Sequence, residues 1–185
     1  MASVSLIANR HQSQLIMVDM QEQLASVMPE AISQVVKNCA VLLQAASLLD
    51  VPVVFTEQYP KGLGHTLPDL MAHLSNKTPV EKTAFSCCAE PTFNRRLFGD
   101  KPQVILVGME SHICVLQTAL DLLKAGKQVL VVEDAVISRN PSNKENALNR
   151  LRQAGVLVVN TESVVFEWLG LAEGDAFKAI SKLIR

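Results

Sequence analysis

The stretch that decides the fold is VILVGMESHICVLQTALDLL, residues 104–123. It opens with a continuous apolar run that ends at Gly108, which is typical of a strand buried on both faces. Over residues 112–125 the apolar positions return at helical spacing, so the sequence predicts a helix there. Cys114 stands at the start of that helix. A buried strand followed directly by a helix indicates an α/β protein with a parallel sheet.

Working outward from this stretch, the same alternation covers the rest of the chain. Residues 20–50 are predicted to be helical with a break near Pro29, and residues 59–70 to form a long loop. Further helices are predicted over residues 90–98 and 144–154 and in pieces toward the C-terminus. The predicted strands are residues 14–19, 51–57, a short one within 79–85 that ends near Lys82, 104–108, 128–136 and 156–159. This order predicts a three-layer α/β/α sandwich, in which the central sheet is doubly wound, mainly parallel and Rossmann-like. We expect residues 1–185 to form a single domain.

The composition excludes several classes of function. With 17 basic and 18 acidic residues in 185, the formal net charge is -1, so no basic surface for nucleic acid is expected. No apolar run reaches the ~20 residues that a membrane helix needs, and no signal peptide is recognisable. The spacing of the four cysteines matches neither a zinc motif nor a disulfide framework. We therefore expect a cytoplasmic protein with no nucleic-acid or membrane partner.

Three chemically competent side chains are predicted at the carboxyl ends of strands, where ligands bind in doubly wound folds. Asp19 ends the first strand, Lys82 ends the short third strand, and Cys114 follows the fourth. The start of a helix favours thiolate, which predicts a lowered pKa for Cys114. Each residue has a structural alternative: Cys114 as a small buried hydrophobe, Asp19 as a helix cap, and Lys82 as a solvated side chain. Together, a nucleophile, a carboxylate base and a cation indicate a catalytic constellation.

Three motifs carry a resemblance to a known family: VDMQEQL (18–24), EKTAFS (81–86) and VGMESHICVLQTALDLL (107–123). In this order they resemble the isochorismatase-like cysteine hydrolases. The loop TEQYPKGLG (56–64) is similar to that of one branch, which comprises isochorismatase domain-containing protein 2 and its bacterial relatives. The resemblance covers nearly the whole chain, and it is specific for fold and catalytic residues but not for substrate.

The resemblance implies a triad of Asp19, Lys82 and Cys114. It also implies a cis peptide between Met109 and Glu110, and an oxyanion hole formed by the backbone N–H groups of Glu110 and Cys114. Oligomers are common in the family, so a homo-oligomer, either a dimer or a tetramer, is expected. Closeness in sequence to the motifs suggests four pocket residues, for each of which ordinary packing is an equal alternative: Gln23, Tyr59, Phe85 and Ile113.

Metal-binding members of the family carry an Asp-x-His pair after the second strand, where this chain has Thr56, Glu57, Gln58 and Tyr59. Glu57 and His65 would supply two ligands, too few for zinc, so we expect no metal and no other cofactor. The sequence thus predicts a hydrolase of a small amide or related carbonyl compound that acts through a thioester. The alternatives are an isochorismatase-type vinyl ether hydrolase and a non-catalytic binding protein that keeps the fold.

Overall fold

In the computed structural model, which describes residues 5–184, six parallel strands form one sheet. The strands lie side by side in the order β3-β2-β1-β4-β5-β6. Their bounds are β1 Ser13–Val18, β2 Val53–Gln58, β3 Val80–Lys82, β4 Gln103–Met109, β5 Gln128–Ile137 and β6 Leu157–Val159.

Helices connect the strands and cover the sheet on both faces. Their bounds are α1 Glu22–Ala25, α2 Ile32–Leu48, α3 Pro60–Leu63, α4 Pro68–Met71, α5 Pro91–Arg96, α6 Leu116–Lys124, α7 Pro141–Ala154, α8 Thr161–Leu169 and α9 Gly174–Leu183. A 3-10 turn at Cys87–Ala89 precedes α5, and one turn of π-helix at Ser111–Val115 precedes α6. Within the described residues, no helix is long and apolar enough to cross a membrane.

The core has two halves because alternate residues of each strand face opposite sides of the sheet. Leu15 and Met17 of β1 pack in the half that contains α2 and α8, together with Trp168. Ile16 and Val18 pack in the other half, which contains Phe93 of α5 and the buried faces of α6 and α7. All residues of β1 and β4 are buried. The predicted three-layer sandwich with a doubly wound parallel sheet is therefore confirmed.

The chain reverses its direction of winding between β1 and β4. It runs outward from β1 through β2 to β3, and then returns to start β4 on the other side of β1. This leaves a crevice beyond the carboxyl ends of β1 and β4, which is where doubly wound folds bind ligands.

The end of β4 has an unusual local conformation. Gly108 has a φ of +119, and a Cβ atom there would lie 2.0 Å from the Val18 carbonyl oxygen, so only glycine fits. The next peptide bond, between Met109 and Glu110, is cis, at the position that the resemblance implied. The Val115 N–H then donates to the Glu110 carbonyl at 3.2 Å, which forms the π-helical turn that contains Cys114.

The prediction of one long loop over residues 59–70 was wrong in detail. The structure has two short helices there, α3 and α4, and each begins with a proline. Proline fits the first turn of a helix because the N–H that it lacks has no helical partner at that position. The remaining predicted elements are present, with ends shifted by a few residues.

Candidate active site

A buried ion pair forms the base of the crevice. Lys82 at the end of β3 donates from Nζ to Oδ2 of Asp19, which follows β1, at 2.8 Å. Both side chains are fully shielded from solvent. Burying two charges is costly unless they are paired and their remaining hydrogen bonds are made. The surroundings of each residue supply those bonds.

Thr56 of β2 positions the Asp19 carboxylate. Its hydroxyl donates to Asp19 Oδ1 at 2.6 Å, and its carbonyl accepts from the Asp19 N–H at 3.2 Å. Asp19 itself adopts a φ of 49, in the left-handed region where aspartate is more tolerated than most residues. One Asp19 carboxylate oxygen thus accepts from the Thr56 hydroxyl, and the other accepts from the Lys82 ammonium group.

Three oxygen acceptors besides Asp19 surround the Lys82 ammonium. They are the Gln58 side-chain carbonyl at 2.5 Å and the backbone carbonyls of Ala84 at 3.2 Å and Phe85 at 3.1 Å. Burial is the largest single influence and lowers the pKa of Lys82, but Asp19, Cys87 and Cys114 together raise it by more, so the net pKa shift is upward. Lys82 is therefore a permanent cation beside Asp19.

Cys114 lies in the π-helical turn, next to this pair. Burial is the main reason that its pKa rises to about 12, and the charge of Asp19 adds to the rise, while Lys82 opposes it. The expectation that the helix start would lower this pKa was wrong, because burial and a nearby carboxylate exceed the effect of the helix end. In the resting protein the thiol is neutral, and it needs a base to become a nucleophile.

A second thiol, Cys87, lies near the same ion pair. Its Sγ is 3.9 Å from the Thr56 hydroxyl, and burial raises its pKa to about 12. Cys87 is fully buried and does not border the cavity described next, whereas Cys114 does. Of the two thiols, Cys114 is therefore the one that an incoming molecule can reach.

The cavity at Cys114 has a volume of about 240 Å³. Typical sites for drug-sized ligands span ~300–1,000 Å³, so this one suits a smaller molecule. Most of its wall is apolar, and its polar groups are few. The lining residues are Leu24, Val27, Gln58, Leu63, Phe85, Glu110, Ile113, Cys114 and Arg139.

Glu110 and Arg139 form a second ion pair at this cavity. The Arg139 Nε lies 3.1 Å from each Glu110 carboxylate oxygen, and the Arg139 backbone N–H donates to Glu110 Oε2 at 2.9 Å. The Glu110 side chain is only 6% exposed, whereas that of Arg139 is 58% exposed. The pair thus fixes the residue that follows the cis peptide and places a cation on the cavity wall.

Two of the four suggested pocket residues, Phe85 and Ile113, line this cavity, and Gln23 and Tyr59 do not. The Tyr59 ring lies over Gly62, where an added Cβ would be 2.6 Å from Tyr59 Cε1. Gln23 is exposed on α1 beside Gly64. Both suggestions rested on nearness in sequence to the motifs. Nearness in sequence does not predict the direction of a side chain, which depends here on the short helix or turn that carries it.

The sequence reasoning also missed Thr56, Gln58 and Arg139. Thr56 and Gln58 are two apart on β2, so they share one face of the strand, and that face meets Asp19 and Lys82. The run of polar residues 56–58 at the carboxyl end of a buried strand was the available signal. Arg139 follows β5 by two residues, and the same rule about strand ends would have selected it.

Glu57, on the opposite face of β2, anchors the following loop. Its carboxylate accepts from the Thr66 N–H and hydroxyl at 2.8 Å each and lies 3.1 Å from His65 Nδ1. Across residues 5–184 no group of three or more His, Cys, Asp or Glu side chains converges as metal ligands would. The contacts of Glu57 to Thr66 and His65 hold this loop against β2.

Two comparisons with known protein sequences indicate the same family. A family model described as the isochorismatase domain matches residues 13–163. Isochorismatase domain-containing protein 2 of Danio rerio is 43% identical over 93% of this chain and 86% of its own length.

Solved structures agree with the sequence comparison. One described as MAR1 ribonuclease from Caenorhabditis elegans is 40% identical, with a TM-score of 0.89 over 96% of this chain and 92% of that one. YcaC of Escherichia coli, described as an octameric hydrolase of unknown specificity, is 21% identical, with a TM-score of 0.89 over 99% of this chain and 91% of that one.

Proposed function

The chain belongs to the isochorismatase family, and we propose that it is a cysteine hydrolase of a small amide or related carbonyl compound. One observation carries the proposal: a reachable thiol, Cys114, borders a small cavity beside a fully buried Asp19–Lys82 pair. A neutral thiol, a carboxylate and a permanent cation are the parts that acyl transfer to sulfur requires.

In the first half of the reaction, Asp19 removes the proton from the Cys114 thiol as the sulfur attacks the amide carbonyl. Because the thiol pKa is raised, proton removal and attack occur together, and no stable thiolate precedes them. The Lys82 ammonium group holds the Asp19 carboxylate in place through their 2.8 Å contact. The backbone N–H groups of Glu110 and Cys114 bind the oxyanion that forms.

In the second half, Asp19 gives its proton to the nitrogen as the C–N bond breaks, and ammonia or an amine leaves. The acyl group remains on Cys114 as a thioester. Asp19 then takes a proton from water, and the resulting hydroxyl adds to the thioester carbonyl. When the C–S bond breaks, sulfur recovers the proton from Asp19, and the carboxylic acid departs.

The direct test is a panel of small primary amides with ammonia release as the readout. Cys114→Ala should reduce turnover at least about a thousandfold, because the nucleophile is lost. Cys88→Ala is the matched control: Cys88 is half-buried and outside the cavity, so this variant should keep wild-type turnover. Wild-type protein stopped during turnover should gain the mass of the acyl group on the peptide that contains Cys114.

Three results would contradict the proposal. Amide hydrolysis that survives in Cys114→Ala would remove the nucleophile from the mechanism. Isochorismate hydrolysis that is unaffected in the same variant would favour the vinyl ether reaction. Since one relative is described as a ribonuclease, an RNA oligonucleotide belongs in the panel, and its cleavage by wild type and Cys114→Ala alike would also contradict the proposal.

We also propose that the protein is a homo-oligomer, either a dimer or a tetramer. A relative with the same fold is described as octameric. Large apolar side chains on the surface, including Leu6, Phe98 and Leu171, are consistent with burial between subunits. The mass in solution measured by light scattering tests this, and a monomer at micromolar concentration would contradict it.

A cytoplasmic location is proposed on the basis of the cysteines. All four are free thiols in the structure, three of them buried. Thiols that stay unpaired fit a reducing compartment.

A further inference from the structure

The second thiol at the candidate site, Cys87, has no task in the proposed reaction. Its backbone N–H donates to the Thr118 hydroxyl at 2.9 Å. Thr118 lies four residues after Cys114, and the helix α6 follows directly on the π-helical turn, so the two residues share one helix face. The backbone of Cys87 is thus attached to the face that carries Cys114.

The Cys87 side chain lies beside the same carboxylate as Cys114. Its Sγ is 3.9 Å from the Thr56 hydroxyl, and that hydroxyl donates to Asp19 Oδ1 at 2.6 Å. After burial, which is the largest cause, the charge of Asp19 is the next cause of the raised pKa of both thiols. Cys87 also adds to the raised pKa of Cys114. Cys87 and Cys114 therefore form a pair of neighbouring thiols around Asp19.

The other two cysteines do not belong to this pair. Cys88 follows Cys87 directly, but its Sγ lies 3.9 Å from the Thr118 backbone carbonyl. Cys39 packs in the opposite half of the core. Cys88 therefore provides a control thiol one residue away from Cys87.

The two thiols of the pair differ in how an incoming molecule can reach them. Cys114 borders the cavity of about 240 Å³, whereas Cys87 is fully buried and does not border it. A small oxidant in this cavity thus meets Cys114 first. A sulfenic acid beside a second thiol condenses to a disulfide, whereas without such a thiol it is oxidised further to sulfinic acid, which ordinary thiols do not reduce.

We propose that Cys114 and Cys87 form a reversible disulfide when the protein meets hydrogen peroxide. In the first step, the Cys114 sulfur attacks the peroxide, the S–O bond forms as the O–O bond breaks, and the thiol proton leaves in a molecule of water. In the second step, the Cys87 sulfur attacks the Cys114 sulfur, and the S–S bond forms as the S–O bond breaks. The departing oxygen takes the Cys87 proton and leaves as water, so both thiols are oxidised and the peroxide is reduced.

The disulfide has two consequences for Cys114. It makes the sulfur unavailable to any compound in the cavity until a cellular thiol reduces the bond. It also keeps Cys114 from the irreversible sulfinic acid. The buried thiol of Cys87 thereby protects the reachable one.

Peptide mapping without a reductant tests the disulfide. Trypsin leaves Cys87 and Cys88 in one peptide, residues 83–95, and Cys114 in another. Wild-type protein should be treated with hydrogen peroxide at mildly alkaline pH, which increases the thiolate fraction. The two peptides should then be joined with the loss of two hydrogen atoms, and dithiothreitol should separate them. Peptides that stay separate while Cys114 gains oxygen would overturn the proposal.

The matched variants are Cys87→Ser and Cys88→Ser, which change neighbouring positions on the same tryptic peptide. Cys88→Ser should cross-link as the wild type does. Cys87→Ser should not, and its Cys114 should instead gain two oxygen atoms. Cross-linking that survives in Cys87→Ser would assign the partner thiol to Cys88 and overturn the proposal. Circular dichroism checks that each variant is folded, and Cys87→Ala replaces Cys87→Ser if the latter is not.

Recovery of the free thiol measures the protection of Cys114. After peroxide treatment, reduction and removal of dithiothreitol, labelling of Cys114 by iodoacetamide should return to the untreated level in the wild type and in Cys88→Ser. In Cys87→Ser it should stay at least about fivefold lower, because thiols do not reduce sulfinic acid. Equal recovery in wild type and Cys87→Ser would overturn the protective role of Cys87. Since these readouts are masses and labelling, they hold or fail independently of amide hydrolysis.

Discussion

At the scale of single residues, the charged side chains of the candidate site are shielded from solvent, and the reactive thiol is the group that borders the cavity. Asp19 and Lys82 carry charges but are fully buried, and Cys114 is neutral but reachable. A buried ion pair contributes little net stability, because desolvation offsets much of the attraction. Its presence at the carboxyl ends of two strands is better explained by function. The pair places a carboxylate and an ammonium group in direct contact beside the cavity that Cys114 lines.

The state of the Cys114 thiol leads to a prediction about its reaction with iodoacetamide. Only the thiolate reacts, and a pKa raised to about 12 keeps the thiolate fraction small at neutral pH. The alkylation rate should therefore increase about tenfold per pH unit from about pH 7 to pH 10 and should not level off in that range. Mass spectrometry of the peptide that contains Cys114 measures this rate.

The reference for that measurement is the same peptide in urea-unfolded protein. There the thiol should titrate near its ordinary value of about 8.5, so the rate should level off toward about pH 10. A plateau near neutral pH in the folded protein would show a preformed thiolate. It would reverse the assignment of Asp19 as the base that acts during attack.

At the scale of elements, the sequence predicted the parts of the site that lie in regular strands. The apolar runs of β1 and β4 are buried on both faces, so their patterns are unambiguous, and their ends located Asp19 and Cys114. The pocket wall depends on α1 and α3, each four residues long. Such short helices carry no periodicity to read, which is why Leu24 and Leu63 were missed and Tyr59 was misplaced.

The junction between β1 and β4 gives a prediction at this scale. Gly108→Ala should destabilise the protein by at least about 3 kcal/mol, because the added Cβ would lie 2.0 Å from the Val18 carbonyl oxygen in a backbone region closed to alanine. Urea denaturation followed by circular dichroism measures the loss. Gly99→Ala is the control, because a Cβ at Gly99 meets nothing within 4 Å. Equal stability of the two variants would contradict the close approach of β1 and β4.

At the scale of the whole molecule, the candidate site and the main hydrogen-bond network of the sheet lie at opposite ends of its strands. The carboxyl ends of the strands hold the ion pairs and the cavity, and the amino ends are joined by a hydrogen-bond network. The Gln103 side chain is its centre: Oε1 accepts from Ser13 Oγ at 3.2 Å and from the Asn9 N–H at 2.7 Å. Its Nε2 donates to Gln128 Oε1 at 2.9 Å and to the Ile7 carbonyl at 3.1 Å. This amide uses its full hydrogen-bonding capacity and joins β1, β4, β5 and the segment before β1.

The network also reaches the C-terminal helices, because Trp168 of α8 donates from Nε1 to Ser13 Oγ at 3.0 Å. Trp168 is the single tryptophan of the chain and is buried, so its fluorescence reports on this end of the sheet. Unfolding followed by tryptophan fluorescence and by circular dichroism should therefore give one midpoint if the two ends unfold together.

The division between the two ends of the sheet leads to the last prediction. Gln103→Leu keeps a similar volume but removes all four side-chain hydrogen bonds of Gln103, one of them to the buried Ser13, so the free energy of unfolding should fall by about 2–3 kcal/mol. The kcat/KM for amide hydrolysis, measured well below the melting temperature, should stay within about twofold of wild type, because the network lies at the end of the sheet opposite to Cys114. Gln34→Leu, at an exposed position on α2, is the control and should leave both quantities unchanged. If Gln103→Leu instead lowered kcat/KM in the fully folded protein, the two ends of the sheet would be coupled, and the buried Asp19–Lys82 pair would depend on the whole sheet rather than on its local contacts.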